Sequence, residues 1–160
     1  MSPTPAPGFA VREAALADLP PATLYALLRL RVDVFVVEQE CAYPELDGRD
    51  LEPDCVHVWA ETTGDTAGAG GVPVATLRVL RDPDGRGRIG RVATAAPFRG
   101  AGVAAALMGR ALELLPGVDV VLDAQAHLEH WYARFGFAAS GPRFVEDAIP
   151  HVPMLRPASA

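Results

Sequence analysis

The segment Val92-Ala93-Thr94-Ala95-Ala96-Pro97-Phe98-Arg99-Gly100-Ala101-Gly102-Val103-Ala104 limits the folds open to this chain more than any other feature. β-forming residues run into a turn punctuated by two glycines. The turn opens onto a helical pattern with Val103, Leu107, Ala111 and Leu114 on one face. The first turn of a helix carries unpaired N–H groups and a partial positive charge of about +0.5, a combination that binds phosphates. Gly100 and Gly102 put no side chain in the way, and Arg99 adds a fixed positive charge. Two phosphate motifs do not fit. A P-loop needs Lys and Ser/Thr after its glycines, where this chain has Val103-Ala104. The dinucleotide fingerprint needs a third glycine where Ala105 stands. Taken alone, the segment also suits a tight strand–helix turn without a ligand.

The flanking sequence supplies the rest of an α/β domain. Phe9 to Glu13 reads as an edge strand. Asp18-Leu19-Pro20-Pro21 reads as a capped helix start, and a helix to Val36 would bury Leu24, Leu27, Leu28, Val34 and Phe35. Strands are expected over Val56–Glu61, Val72–Leu80 and Arg88–Thr94. Gly64 to Gly71 reads as a turn, and Asp82-Pro83-Asp84-Gly85 as a hairpin turn. Val118–Leu122 reads as a strand buried on both faces, and His127–Phe135 as a short helix ended by Gly136. Phe137 to Leu155 should hold one or two more strands. The order implies one domain over 9–157 with a mixed sheet, preceded by a disordered arm over 1–8. Between Glu38 and Asp54 periodicity fails, and prolines and acidic residues collect in a long surface loop of the kind that is often functional.

Bulk properties exclude several function classes. The chain has 160 residues, enough for one core, with a net charge of −6 and a pI near 5.1. That balance argues against nucleic-acid binding and is compatible with a cationic substrate. All 14 basic residues are arginine, so no lysine Schiff base can form. The Pro-rich N-terminus lacks the pattern of a signal peptide, and no stretch approaches the ~20 apolar residues of a membrane span. A cytoplasmic protein with reduced thiols is the expectation. Cys41, Cys55 and His57 do not have zinc spacing. His127 and His130 lack the H-E-x-x-H context, and Asp47, Asp50, Glu52 and Asp54 miss the calcium-loop offsets. No metal is expected, and the acidic loop should be solvated.

A second motif lies downstream of the glycine turn. Arg99-Gly100-Ala101-Gly102-Val103-Ala104 resembles the Arg/Gln-x-x-Gly-x-Gly/Ala signature of the GCN5-related N-acetyltransferase (GNAT) family. Trp131-Tyr132-Ala133-Arg134-Phe135-Gly136-Phe137 resembles its later aromatic-Tyr-x-x-x-Gly-Phe segment. Val34 to Gln39, Asp47-Gly48, Ala124 to Leu128 and Ile149-Pro150-His151 look like the ElaA-like branch. The resemblance implies a mixed, mostly antiparallel sheet, flanked by helices and splayed between its fourth and fifth strands, here Arg88–Thr94 and Val118–Leu122. It implies acetyl-CoA as co-substrate. The pyrophosphate would lie against Arg99, Gly100, Ala101, Gly102, Val103 and Ala104. The pantetheine arm would run along Val92, Ala93 and Thr94, whose N–H groups would also polarise the acetyl carbonyl. Gln125 stands where many members carry an asparagine that contacts that arm.

The implied reaction is direct acetyl transfer to a primary amine of a small molecule. The amine must lose a proton, the carbonyl needs stabilisation, and the departing thiolate needs a proton. The resemblance assigns the last task to Tyr132, and a phenol of pKa ~10 can protonate a thiolate whose conjugate acid lies near ~8.5. An ordinary core aromatic is the alternative for Tyr132. Proton acceptors to weigh are Glu38, Asp47, His57, Asp123 and His151. Glu38 is the carboxylate placed in catalysis, and Glu38, Gln39, Asp47 and His151 are expected to line the acceptor pocket. Competing functions are acetylation of a protein or peptide amine, a non-catalytic acyl-CoA-binding domain, and acyl-homoserine lactone synthesis. The acidic pI argues against docking the acidic carrier protein that last activity needs. A homodimer is expected, as the commonest closed assembly.

Overall fold

The computed structural model describes residues 8–63 and 71–159. The expected arm and the expected turn over 64–71 lie almost wholly outside the described residues. Eight strands form one sheet: β1 (Phe9–Ala15), β2 (Val56–Thr62), β3 (Pro73–Arg81), β4 (Gly87–Thr94), β5 (Val120–Gln125), β6 (Ala138–Ala139), β7 (Phe144–Glu146) and β8 (Ile149–Arg156). Their order is β1-β2-β3-β4-β5-β8-β6, with β7 also paired to β8. The segment after Phe137 thus holds three strands, more than the sequence suggests. β4 and β5 form the parallel pair, and every other pairing is antiparallel.

That parallel pair positions the site. β4 meets β5 only at Gly87↔Val120 and Arg88↔Val121. Beyond Arg88 the two strands part, and the sheet opens into a cleft. β4 is also bulged. Thr76 pairs with Ala93 and Arg78 with Gly90, so Arg91 and Val92 together stand opposite Leu77. Arg91 adopts a φ of 54° at this point, a left-handed conformation that costs an L-residue roughly 1–2 kcal/mol.

The helices are α1 (Pro21–Val32), α2 (Val103–Glu113) and α3 (Glu129–Ala133). Asp18 does not cap α1. It sits in a short 3-10 turn, and Pro20 takes the cap position without a side-chain bond. α1 does not run on to Val36 as a regular helix either. From Asp33 to Glu38 it widens into a π-helical turn, with Gln39 N–H donating to Val34 O at 3.2 Å and Cys41 N–H to Val36 O at 3.2 Å. Such turns re-aim the side chains that follow.

Strand alternation divides the core. Val58, Ala60, Leu77 and Val79 pack with Val103, Leu107, Met108 and Ala111 of α2. On the opposite face Trp59 packs with Leu19 and Leu27, and Ala93 with Leu30 and Val34. Part of the α1 face is polar. Arg31, Glu45, Asp50, His57, Thr76 and Arg78 are all buried. The acidic loop is therefore not simply solvated. Arg31 Nε lies 2.6 Å from Glu45 and its Nη1 2.7 Å from Asp50, while Arg78 forms a two-pronged pair with Asp47 at 2.8 and 2.6 Å. Buried charges need such partners.

Candidate acyl-transfer site

The cleft opened by β4 and β5 has a volume of about 1470 Å³ and collects most of the residues singled out from sequence. One end of the cleft is the turn before α2. Gly100 and Gly102 both have φ 78°, and a Cβ at either would meet no heavy atom within 4 Å. Glycine here is required by backbone conformation, and the space in front of it is open. Gly102 occupies the cap of α2, and no side chain caps it. The N–H groups of Val103 to Ala105 keep no intrahelical acceptor. An open, uncapped helix terminus of eleven residues fits a pyrophosphate by shape and by partial charge. Val103 and Ala104 line this end, whereas Ala101 turns to solvent.

Arg99 is not a free cation. Its Nη1 and Nη2 lie 2.7 and 2.6 Å from the two carboxylate oxygens of Glu38, and its Nε donates to Thr94 O at 3.0 Å. The π-helical turn aims Glu38 at this partner. The Arg99 guanidinium holds the Glu38 carboxyl below its ordinary value. A carboxylate so stabilised in its charged form is a poor proton acceptor, which counts against Glu38 as the base.

The middle of the cleft is built on β4. Val92 and Thr94 line it, while the Ala93 side chain is buried on the α1 side against Leu30 and Val34. Because β5 has left β4 after Arg88, this stretch faces the cleft without a strand partner on that edge. Across the cleft, Gln125 ends β5 and pairs in register with His151 of β8. The Gln125 and Gln39 amides bond reciprocally, at 3.2 and 3.5 Å. Gln125 therefore offers the cleft only the remaining half of its amide.

Tyr132 on α3 also lines the cleft. Only 6% exposed, it stands edge-on to Trp131 at 4.9 Å and to Phe137 at 6.3 Å. Burial pushes its phenol up to about 12. It stays protonated through neutral pH, as a weaker acid than a free phenol.

Another wall of the cleft is formed by the π-helical turn, the loop after it and the β7–β8 hairpin. His151 Nδ1 lies 2.7 Å from Ile149 O, and its ring stacks on Phe144 at 5.5 Å. A carbonyl only accepts, so Nδ1 is the donor in this bond and Nε2 is left outside it. Cys41 Sγ donates towards Asp147 O at 3.2 Å, tying the hairpin turn to this wall. Asp47 lines the cleft, but its pairing with Arg78 holds it far below the carboxylate range. Asp123 lies 3.5 Å from Arg88 on an exposed rim. His57 is sealed beneath the loop, outside the cleft.

Sequence reasoning missed Tyr43, Glu45 and Arg91. Arg91 Nε lies 2.8 Å from Glu45 Oε2, and its Nη2 lies 3.3 Å from Glu45 O and 3.4 Å from Asp47 Oδ2. Its guanidinium carbon stands 5.5 Å from the Tyr43 ring centroid, and the Tyr43 hydroxyl bonds Glu45. Among the described residues, Asp50, Cys55 and His57 could meet round a cation. They do not fit one: Asp50 is held by Arg31 and Arg78, and burial pushes the Cys55 thiol up to about 11.

An Acetyltransferase (GNAT) domain family matches residues 32–156 of this chain. The chain belongs to the GNAT acetyltransferase family. A UPF0039 protein of Mycobacterium tuberculosis is 45% identical over 153 residues, covering 94% of each chain. Protein ElaA of Escherichia coli is 39% identical over 146 residues, 88% of this chain and 91% of that one. The crystal structure of E. coli ElaA covers 93% of this chain and 99% of its own, with a TM-score of 0.82 at 36% identity. An acyl-CoA N-acyltransferase from Pseudomonas aeruginosa gives the same TM-score and coverage at 42% identity. The chain is an ElaA-like GNAT enzyme, an acyl-CoA-dependent N-acyltransferase with acyl-CoA as co-substrate. Among the described residues no helix is long and apolar enough to cross a membrane.

Proposed function

We propose that this enzyme moves an acetyl group from acetyl-CoA directly to a primary amine of a small molecule, with Tyr132 as proton donor and His151 as proton acceptor. The observation that carries the reading is the placing of a buried phenol and an oriented imidazole on one cleft. Burial keeps Tyr132 protonated, and the bond from Nδ1 to the Ile149 carbonyl fixes the His151 ring and leaves Nε2 outside that bond.

Acetyl-CoA supplies a thioester, a carbonyl activated towards amines. The chain's own residues do the rest. The N–H groups at the start of α2 bind phosphate. Backbone N–H groups of Val92 to Thr94, on the edge of β4 that β5 leaves open, stabilise negative charge developing on the carbonyl oxygen. His151 Nε2 accepts the proton that an ammonium must shed to become a nucleophile. Tyr132 gives its hydroxyl proton to the departing sulfur. Glu38 pairs with Arg99 at the rim, and Gln39 with Gln125 closes the cleft between its two ends. Asp47 shapes the acceptor wall as half of an ion pair with Arg78.

Calorimetric titration with acetyl-CoA of wild type and Gly102→Glu tests the cofactor half. Glutamate at a φ of 78° strains the turn and sets a negative charge against the phosphates, so binding should vanish while the variant stays folded. An amine panel with thiol-release detection tests the rest. No thiol release above the hydrolytic background for any small amine would sink the acceptor assignment.

A further inference from the structure

We propose that Arg91 is a positioning residue: clamped by the loop that carries Tyr43, Glu45 and Asp47, it holds the β4 bulge in the shape that points backbone N–H groups at the acetyl carbonyl. The inference rests on the proposed function for its reaction.

The bulge is not self-supporting. Arg91 has a φ of 54°, and such conformations in non-glycine residues persist only where the surroundings hold them. β5 offers no support, since its pairing with β4 ends at Arg88. What holds Arg91 is its own side chain. The guanidinium meets the Glu45 carboxylate, the Glu45 carbonyl, the Asp47 carboxylate and the Tyr43 ring.

These anchors are themselves fixed in the interior. Glu45 is bonded by Arg31, which is 2% exposed, and Asp47 by Arg78, which is 5% exposed. A surface arginine free to sample rotamers would not restrain a backbone. One gripped by groups rooted in the core does. Arg91 also directly precedes Val92. Rotation about its backbone would swing the N–H groups next to the reacting carbonyl, where displacement of about 1 Å costs on the order of 100-fold in rate. Its side chain is engaged by Glu45 and Asp47, which ties the loop to the strand.

The test needs no acceptor amine. Acetyl-CoA carrying 13C in its acetyl carbonyl is bound to wild type, Arg91→Ala and Arg91→Lys, and isotope-edited infrared spectra are recorded. Affinity comes from calorimetry, folding from circular dichroism. A polarised carbonyl absorbs at lower frequency than in water. The expected result is a downshifted band in wild type, a band returned towards its solution position in Arg91→Ala, and an intermediate band in Arg91→Lys, all with unchanged affinity. A full downshift in Arg91→Ala, or affinity lost in step with the band, overturns the proposal. Should Arg91→Ala fail to fold, Arg91→Lys decides: a full wild-type shift there overturns it. Wild type that does not bind acetyl-CoA refutes the proposed function and this inference with it. Wild type that binds without a downshift refutes the inference alone.

Discussion

Arg99 and Glu38, 61 residues apart in sequence, face each other as a two-pronged ion pair with contacts of 2.7 and 2.6 Å. The pair joins the π-helical turn after α1 to the phosphate end of the cleft. It sets the carboxylate in competition with any phosphate that approaches Arg99. Both side chains are nearly half exposed, at 45% and 44%, so the pair contributes little to stability. Glu38→Gln should therefore tighten acetyl-CoA binding several-fold and leave the melting temperature unchanged. Arg99→Gln should weaken binding. Calorimetry on both variants checks this, and weaker binding by Glu38→Gln would show that Arg99 depends on its partner to reach the phosphate.

Burial of Tyr132 makes a second prediction about pH. Its phenol is pushed up to about 12, so the proton donor is not lost across the range in which most enzymes are stable. The rate should rise with pH as the amine deprotonates. It should show no falling limb from loss of the donor below about pH 11. Tyr132→Phe should lower kcat by about 100-fold or more with little change in KM for acetyl-CoA. A falling limb that begins near pH 9 and is absent from Tyr132→Phe would contradict the burial argument.

The turn before α2 was legible because the residues that shape it are contiguous. Gly100, Gly102 and the helix after them carry the left-handed turn and the uncapped helix start in one short stretch. The same holds for Tyr132 between Trp131 and Gly136. The charged loop was legible only as charge. Its partners Arg31, Arg78 and Arg91 lie on other elements, and no local spacing encodes pairings that span 14, 31 and 46 residues. A signal was present. Arg31 interrupts a helix face that also buries Leu27 and Leu30, and Arg78 interrupts the buried run of β3. A cation in a buried segment implies an anion delivered from elsewhere. The bulge at Arg91 left no trace, because it arises from register between two strands and not from either alone.

The buried network also sets stability. Arg31 bonds Glu45 and Asp50, and all three are buried. Arg31→Met keeps much of the volume but removes the most buried partner of two carboxylates, leaving Glu45 with Arg91 and Tyr43 and Asp50 with Arg78. Breaking such a pair from one side costs about 3–5 kcal/mol. Urea unfolding at pH 7 should show that loss for Arg31→Met. A change under 1 kcal/mol, on the order expected for an exposed pair, would mean that water reaches the network.

His57 should make stability fall as pH drops below neutral. It is 2% exposed, and burial lowers its pKa although Asp50 Oδ1 lies 3.8 Å away. Above about pH 6.5, where a free imidazole titrates, the ring is neutral in both states and its contribution is complete. As pH falls below that value the unfolded chain takes up a proton before the folded one does, so the folded state loses ground. Asp47 and Asp50 act lower. Hydrogen bonds from Arg78 lower Asp47. Burial alone would raise Asp50, and its bonds to Arg31 more than offset that. Both carboxylates contribute fully above the unfolded value of ~3.9 and lose that contribution only as pH drops below it. The interval from about pH 6.5 to 5 lies above the range in which these carboxylates titrate in either state, and there His57 is the group whose shift acts. Urea unfolding at pH 7, 6 and 5 should show a decline in wild type that is flatter in His57→Gln, whose side chain does not titrate. Parallel declines in the two proteins would place the proton uptake on another group.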